Sequence, residues 1–262
     1  MYRLIRPILF RLDPERVHEL TKTLLKVGQP VPGKTWAWEK IWTPRVERPV
    51  ELWGMRFRNP VGIAAGFDKN AELVPFLRAA GFGFVEVGTV TLHPQPGNPK
   101  PRLFRYPRQH ALVNRLGFNN EGAEAVARRL DRWDRKYNPG NREPGTGDRV
   151  GGGPLDVPLF VNIGKNKDVL LDESPAAYRK TYRKLAPLAD AVVVNVSSPN
   201  TPNLRDLQRP ESLVEILSLL RNERESTGFR RSGQHAILVK LAPDLDHDSR
   251  LAVGTVRRSQ QH

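Results

Sequence analysis

The chain has 262 residues, of which 39% are hydrophobic, and its 42 Lys and Arg against 28 Asp and Glu give a formal net charge of +14. This length allows one large domain or two small ones, and the basic balance leaves nucleic acids, anionic membranes and anionic substrates open as partners. The absence of cysteine excludes disulfides, thiolate catalysis and cysteine-ligated metal centres. No stretch reaches the roughly 18 apolar residues of a spanning helix, and the N-terminus lacks a signal-peptide pattern.

The first 28 residues predict two short helices. Asp13 is expected to cap the second helix, with Pro14 in its first position, and Gly28 to end it. Apolar residues of this second helix recur at the spacing of one helix face: Val17, Leu20, Leu24 and Val27. From the residues alone, a helix pair that packs on its own domain is favoured over a basic, amphipathic pair that rests on an anionic bilayer.

A linker with a short hairpin is predicted over 29–58, and a regular alternation of strands and helices follows. Strands are predicted over 61–66, 82–88, 157–164, 191–196 and 236–243, and helices over 71–80, 120–133, 174–189 and 211–225. This pattern indicates an α/β fold of parallel βαβ units. Polar residues at the strand ends favour a TIM barrel over a doubly wound sheet, whose Gly-x-Gly-x-x-Gly turn is absent after the first strand.

The predicted barrel has about five of the eight strands of a complete (β/α)8 barrel. Residues 138–156 are rich in Gly and Pro, and a flexible surface loop is favoured there over a phosphate loop, because the strand–loop–helix order is absent. The barrel is predicted over 59–246. Residues 247–262 lack helical periodicity and are predicted to be foreign to the fold. Because three strands of a complete barrel are missing, the sequence is expected to be a C-terminally truncated or frame-shifted reading.

Polar side chains collect at the predicted strand ends, where a TIM barrel carries its chemistry. They are Lys69, Thr89, Asn114, Asn162, Asn195, Ser198, Asn200 and Lys240. Two lysines and four amides suit a planar, anionic ligand with a lactam edge, because an amide donates and accepts side by side. No metal-ligand set, carboxylate pair or Ser–His arrangement is visible. The residues by themselves predict an anion- and lactam-binding barrel without a metal.

Six motifs together closely resemble the class 2, quinone-dependent dihydroorotate dehydrogenases. They are NPVGIAAGFDKN, GTVTLHPQPGNPKPRLFR, NRLGFNN, VNIGKNKD, NVSSPNTPNLRDLQ and VKLAPDL. The resemblance runs from RLDPERVHEL near the N-terminus to about Asp246. It implies an FMN-dependent oxidoreductase of pyrimidine (UMP) biosynthesis that oxidises dihydroorotate to orotate and reduces a membrane quinone.

The resemblance implies a role for each matching residue. Ser198 matches the base that takes a proton from C5 of dihydroorotate while a hydride leaves C6 for the flavin. The positions that match orotate contacts are Lys69, Asn114, Arg115, Leu116, Gly117, Phe118, Asn195 and Asn200. The positions that match flavin contacts are Ala65, Gly66, Phe67, Asp68, Lys69, Thr89, Asn162, Asn195 and Lys240. His18 and Arg105 match residues at the inner end of a quinone tunnel. Ordinary turn and surface roles are the alternative for each of these residues.

The resemblance reverses the preference for the N-terminal helices, which in class 2 enzymes rest on the membrane and admit the quinone. It implies peripheral association with an anionic membrane at the cytoplasmic face of a bacterial-type cell membrane, no nucleic-acid partner, and a monomer at full length. A catalytically inactive fragment is the main alternative, because the strands expected to hold the FMN phosphate do not follow Asp246. A basic nucleic-acid-binding module and a cytosolic, fumarate-using relative are less favoured.

Overall fold

The computed structural model of the protein describes residues 2–29, 40–41, 48–137, 157–227 and 236–245. Its helices are α1 (Tyr2–Leu9), α2 (Pro14–Val27), α3 (Val74–Ala79), α4 (Gly122–Tyr137), α5 (Ser174–Leu185) and α6 (Pro210–Thr227). Its strands are β1 (Val50–Leu52), β2 (Met55–Phe57), β3 (Val85–Val90), β4 (Leu103–Tyr106), β5 (Ala111–Asn114), β6 (Leu159–Ile163), β7 (Ala191–Asn195) and β8 (Ala236–Lys240). The loop predicted over 138–156 and the tail predicted over 247–262 lie outside the described residues.

The central sheet is parallel and has the order β3–β6–β7–β8. Ile63 forms a parallel bridge to Val85 next to β3, and the Ile63 N–H donates to the Phe84 carbonyl at 3.2 Å. The predicted strand over 61–66 is therefore in its expected place, but it is not a regular strand. Gly66, with φ of +110°, turns the backbone out of the extended region at its end. The parallel β/α architecture predicted from the sequence is confirmed.

The two faces of the sheet bury different sets of residues, because side chains alternate along a strand. One face packs against the helices, and Val87, Val161 and Val194 belong to the large core on that side. The opposite face, here called the inner face, carries Phe84, Phe160, Ala191, Val193, Ala236 and Leu238. Met55 and Phe57 of the β1–β2 hairpin pack against its apolar part. A cavity of about 370 Å³ remains on this side, bordered by apolar residues and by Glu86 and Lys240.

Two antiparallel hairpins accompany the sheet. The β1–β2 hairpin, which pairs Val50 with Phe57, was predicted from the sequence. The β4–β5 hairpin, which pairs Leu103 with Asn114, was not predicted. All four residues of β5 are exposed, so this strand lacks the alternation of buried and exposed side chains that would reveal it. The hairpin leads into the predicted orotate segment, and its strand β4 contacts α2.

The N-terminal helices lie on the body of the protein through their polar side. As predicted, Asp13 caps α2, and its carboxylate accepts the Arg16 N–H at 2.9 Å. The buried side chains of α2 are Glu15 and Lys22, which pair with Arg102 and Glu72, each at 2.8 Å. The apolar side chains that stay exposed on this segment are Leu4, Ile5, Ile8, Leu12, Leu20, Leu24 and Val27. We call these seven residues the apolar face. Within the described residues, no helix is both long and apolar enough to cross a membrane.

Candidate functional site

Two buried amides meet on the inner face where β6 and β7 end. Asn195 Nδ2 donates to Asn162 Oδ1 at 3.3 Å and to Thr89 Oγ1 at 3.0 Å. Lys240 lies beside Asn195 on the neighbouring strand β8. We call Thr89, Asn162, Asn195 and Lys240 the inner-face cluster. Because Thr89 accepts through its oxygen, its hydroxyl hydrogen can still be donated to a ligand. Four of the side chains predicted for the site are thus gathered in one place.

Glu86, a residue that the sequence analysis did not single out, lies beneath this cluster. One carboxylate oxygen accepts Asn162 Nδ2 at 2.7 Å, and the other accepts the Ala65 backbone N–H at 3.0 Å. The second oxygen lies 3.9 Å from Lys240 Nζ. A lone carboxylate inside the apolar run FGFVEVG was the signal available in the sequence, because a buried charge requires partners.

The loop from Ala65 to Lys69 closes over the carboxyl end of β3. The Gly66 N–H donates to the Gly88 carbonyl at 2.8 Å, and the Gly88 N–H donates to the Asp68 carbonyl at 3.1 Å. A side chain at Gly88 would lie 2.4 Å from the Asn162 carbonyl oxygen, so glycine is required there. Among the residues that the structure describes, and apart from the chain neighbours of Gly66, no atom lies within 4 Å of the position a Cβ would occupy there. The open space before this backbone can accept the flat face of a ring.

The Asp68 side chain supports the loop itself. Its two oxygens accept the backbone N–H groups of Glu72 and Leu73 at 2.8 and 2.7 Å. Burial raises the pKa of this carboxyl group, which is 1% exposed. Among the predicted flavin contacts, Asp68 can therefore approach a ligand through its backbone, while its carboxylate holds the turn that leads into α3.

Lys69 is a buried cation at the junction of this loop with α2. Its residue is 9% exposed, and no hydrogen bond or ion pair of its ammonium group occurs within the described residues. Burial, and then the positive charge of Lys22, lowers the pKa of Lys69. A carboxylate ligand would relieve both effects, because it supplies the opposite charge that the protein does not provide here.

The predicted catalytic Ser198 lies in the loop that follows β7. Its hydroxyl oxygen accepts the Asn200 N–H at 3.2 Å, and the residue is half-buried. The neighbouring Ser197 donates its hydroxyl to Asn195 Oδ1 at 2.8 Å, which ties the loop to the inner-face cluster. Arg205 donates to the Ser197 carbonyl at 3.2 Å. The sequence analysis did not single out Ser197 or Arg205, because each acts through a loop contact that has no periodic pattern.

The predicted orotate segment begins outside the inner face. Asn114 is exposed, and Arg115 donates to the Pro101 carbonyl at 3.0 and 3.2 Å. Gly117 and Phe118 both have positive φ, of +72° and +53°. These turns bring the Phe118 ring next to Gly164 at the end of β6. Within the described residues, the structure thus gathers Phe118 near the cluster, whereas Asn114 and Arg115 stay at the surface.

Of the two predicted quinone-tunnel residues, His18 belongs to α2 and Arg105 contacts the turn between α1 and α2. The His18 ring meets Phe67 edge-on, with centroids 5.5 Å apart. Burial, and then the charge of Lys69, lowers the pKa of His18 below its ordinary value, which favours the neutral imidazole. Arg105 lies over the Phe10 ring, with its guanidinium carbon 4.3 Å from the centroid. His18 thereby links α2 to the loop that carries Lys69.

The donor set of the inner face suits a flat heteroaromatic group with a lactam edge. Lys240 offers an ammonium group that lies 3.9 Å from the Glu86 carboxylate, and Thr89 offers a hydroxyl. The open backbone at Gly66 offers room for the ring. The amides of Asn162 and Asn195 are already oriented by hydrogen bonds, so their remaining donors and acceptors point in defined directions.

Comparison with known proteins points to one family. The family model described as dihydroorotate dehydrogenase matches residues 48–261. The chain is 44% identical over 261 residues to a dihydroorotate dehydrogenase (quinone) of Delftia acidovorans, covering 99% of this chain and 68% of the relative. It is 46% identical over 253 residues to the enzyme of the same name from Halobacterium salinarum, covering 95% of this chain and 63% of the relative.

A solved structure agrees with these sequence matches. The crystal structure of DHODH in complex with ferulenol from Eimeria tenella matches with a TM-score of 0.74 and 34% sequence identity. The match covers 95% of this chain and 64% of that chain. The protein described here therefore spans about two thirds of the length of its relatives, and it shares their fold over nearly all of its own length.

Proposed function

Since the chain belongs to the dihydroorotate dehydrogenase family, we propose that it carries the substrate and flavin face of a quinone-dependent enzyme of pyrimidine biosynthesis. The reaction converts dihydroorotate to orotate: a proton leaves C5, a hydride leaves C6, and the two electrons pass to a quinone. The comparisons do not favour the alternatives of an inactive fragment or of a nucleic-acid-binding module.

The observation that carries this proposal is a pair of weakly compensated lysines, Lys240 beside the oriented amides and Lys69 in the loop over the end of β3. Lys69 has no partner within the described residues, and Lys240 is 3.9 Å from the Glu86 carboxylate. Lys69 would bind the carboxylate of dihydroorotate, and Asn195 and Asn200 would bind its ring amides. Lys240 would lie beside the part of the cofactor that becomes negative on reduction, where a cation stabilises the charge.

The proposed cofactor is FMN. When bound, it supplies the hydride acceptor and transfers electrons to the quinone. The residues proposed to hold it are Ala65, Gly66, Thr89, Asn162, Asn195 and Lys240, with Phe67 and Lys69 from the same loop. Ser198 is proposed to accept the C5 proton. A serine hydroxyl is a weak base, so this role requires polarisation by the loop or a path to water.

We further propose that the N-terminal helices rest on an anionic membrane and admit the quinone at His18 and Arg105. The apolar face supports this, because the helices turn Glu15 and Lys22 toward the protein and leave seven apolar residues exposed. This is the reverse of the usual polarity of a surface helix. Basic residues such as Arg11 and Arg16 are also exposed on this segment, and they would attract anionic lipid headgroups.

The visible absorption spectrum of the purified chain tests the proposal. FMN is supplied during folding, excess is removed, and dihydroorotate is then added without a quinone. We expect a bound-flavin band that bleaches with dihydroorotate and returns when a quinone is added. A chain that folds but retains no flavin would contradict the proposal for this chain, and a bound band that dihydroorotate does not bleach would contradict the assigned substrate.

A further inference from the structure

Glu86 connects three separate parts of the proposed flavin site. Its carboxylate accepts the backbone N–H of Ala65 at 3.0 Å and the amide of Asn162 at 2.7 Å, and it lies 3.9 Å from the ammonium of Lys240. These partners come from the loop before β3, from β6 and from β8. The Glu86 side chain is 9% exposed, so water contributes little to its solvation.

The bond to Asn162 determines which way that amide faces. Because Asn162 Nδ2 donates to Glu86, Asn162 Oδ1 points toward Asn195 and accepts its Nδ2 at 3.3 Å. The same Nδ2 of Asn195 reaches Thr89 at 3.0 Å. A single carboxylate at the start of this chain of bonds thus orients the inner-face cluster, since each group fixes the orientation of the next.

The charge of Glu86 acts on the same site. Lys240 is the cation of the inner-face cluster, and Glu86 is the carboxylate that lies 3.9 Å from it. At such distances inside a protein, a unit charge has a large effect on a neighbouring charged group. A negative charge beneath the site opposes the gain of negative charge by a reduced flavin, and it therefore moderates the effect of Lys240.

We propose that Glu86 is a positioning residue of the cofactor site, whose carboxylate orients Ala65, Asn162 and Lys240 and whose charge makes bound flavin harder to reduce. Only the effect of Glu86 on flavin reduction rests on the proposed function. The orientation of Ala65, Asn162 and Lys240 concerns contacts within the chain, and these can be measured without flavin.

The first test measures amide hydrogen exchange in the flavin-free chain, with NMR as the detection method. In Glu86→Ala, the Ala65 N–H loses a charged acceptor, and its exchange is expected to accelerate at least about tenfold. Glu86→Gln keeps one carbonyl acceptor and should restore part of the protection. The matched control is Glu223→Gln, because Glu223 is also buried and binds Arg179 and Arg183 on the helical side. Unchanged Ala65 protection in Glu86→Ala would overturn the proposal.

The second test uses the FMN-loaded chain. In Glu86→Gln, the binding of reduced FMN is expected to become about tenfold tighter relative to the binding of oxidised FMN. This corresponds to a rise of about 30 mV in the potential of the two-electron couple. Glu223→Gln should leave the ratio unchanged, although it also lowers stability.

The outcomes separate the two proposals. A wild-type chain that retains no FMN contradicts the proposed function, and hydrogen exchange alone then decides the role of Glu86. A wild-type chain that binds FMN, with an unchanged ratio in Glu86→Gln, contradicts the charge role of Glu86 and leaves the proposed function standing. If Glu86→Ala fails to fold, a partial loss of Ala65 protection in Glu86→Gln supports the positioning role, and full protection contradicts it.

Discussion

Glu86 and Lys240 lie 3.9 Å apart although two strands, β6 and β7, separate their strands in the sheet. Neighbouring strands are about 4.8 Å apart, so β3 and β8 in a flat sheet would be about 14 Å apart. Long side chains shorten this distance only if the sheet curls toward the inner face. The pair therefore reports the curvature of a barrel wall, and it explains why polar groups from distant strands converge.

Ser198→Ala tests the proposed base. We expect flavin reduction by dihydroorotate to slow by about 10²- to 10⁴-fold, the usual contribution of a positioned base. FMN retention should be unchanged, because the Ser198 hydroxyl contacts the Asn200 N–H and not a residue proposed to hold FMN. Stopped-flow measurement of flavin bleaching gives the rate.

Ser226→Ala is the matched control for Ser198→Ala, because it removes an exposed serine hydroxyl at the end of α6, where it donates to the Glu223 carbonyl. Bleaching at the wild-type rate in Ser198→Ala would rule out the base assignment, whatever the control shows.

Lys69→Met tests the buried cation. We expect the free energy of unfolding at neutral pH to increase by about 1 kcal/mol. The substitution removes a poorly solvated charge that has no partner among the described residues. Burial lowers the pKa of Lys69 from its ordinary value of 10.5, so the unfolded chain holds this proton more tightly than the folded chain. Wild-type stability should therefore recover, and the gain of the variant shrink, as pH rises through the lowered pKa toward 10.5.

Denaturant unfolding across this pH range, with and without dihydroorotate, measures both effects of Lys69→Met. The ligand should stabilise the wild type and fail to stabilise the variant. Lys180→Met, at an exposed position on α5, is the control and should change neither property. Equal protection of Lys69→Met and wild type by dihydroorotate would count against Lys69 as the carboxylate ligand.

Arg102→Met tests the attachment of the N-terminal helices. Arg102 donates to both oxygens of Glu15 and to the carbonyls of Pro96 and Asn98. Its loss leaves a buried carboxylate with a weaker partner, and we expect a local destabilisation on the order of 3 kcal/mol. Limited proteolysis should then cleave near residues 2–29 before the rest of the chain. The double variant Glu15→Gln/Arg102→Met should be cleaved more slowly than Arg102→Met.

Acid should detach the same helices. Burial by itself raises the pKa of Glu15, but hydrogen bonds and charge from Arg102, together with Lys100, lower it below the ordinary value of 4.5. The stabilisation is therefore complete above pH 4.5 and is lost as pH falls through the lowered pKa. Proteolysis of the N-terminal segment that does not depend on pH in this range would contradict the role of this ion pair.

Ile8→Glu tests the proposed membrane contact. Ile8 is 64% exposed on the apolar face, so thermal stability should not change. Affinity for vesicles that contain anionic lipid should fall about 10- to 100-fold, because one large apolar side chain no longer enters the bilayer. Vesicle co-sedimentation measures it. Leu170→Glu, at an equally exposed apolar residue outside the N-terminal helices, is the control. Equal losses in both variants would show that the apolar face has no special role.

The sequence predicted the sheet and the N-terminal helices well because both depend on local patterns. Near-continuous apolar runs marked β3, β6, β7 and β8, and Asp13 with Gly28 marked the ends of α2. It did not predict which side of α2 faces the protein, because that depends on Glu15 finding Arg102, 87 residues along the chain. Periodicity shows that a helix has two faces, and tertiary ion pairs decide which one is buried.

The sequence indicated which polar residues lie at the strand ends, but not how their side chains are connected. Strand ends and motif resemblance indicated Thr89, Asn162, Asn195 and Lys240, and the structure brings these together. Glu86 was missed because its role arises from the curvature of the sheet, which carries it to Lys240. The contacts of Ser197 were missed for a similar reason, since a hydroxyl in a loop has no periodic pattern.

The alternation of side chains between the two faces along β6, β7 and β8 also limits which insertions and deletions the protein can tolerate. Asn162, Asn195 and Lys240 each occupy the last inner-face position of their strand, and the preceding residues fill the helical core. Inserting or deleting one residue within such a strand would turn the amides into the core and the valines into the site. Such a change would disrupt the hydrophobic core and the candidate site together. Variation in length should therefore be tolerated only in the loops beyond the strand ends, where it can alter ligand preference without disturbing the sheet.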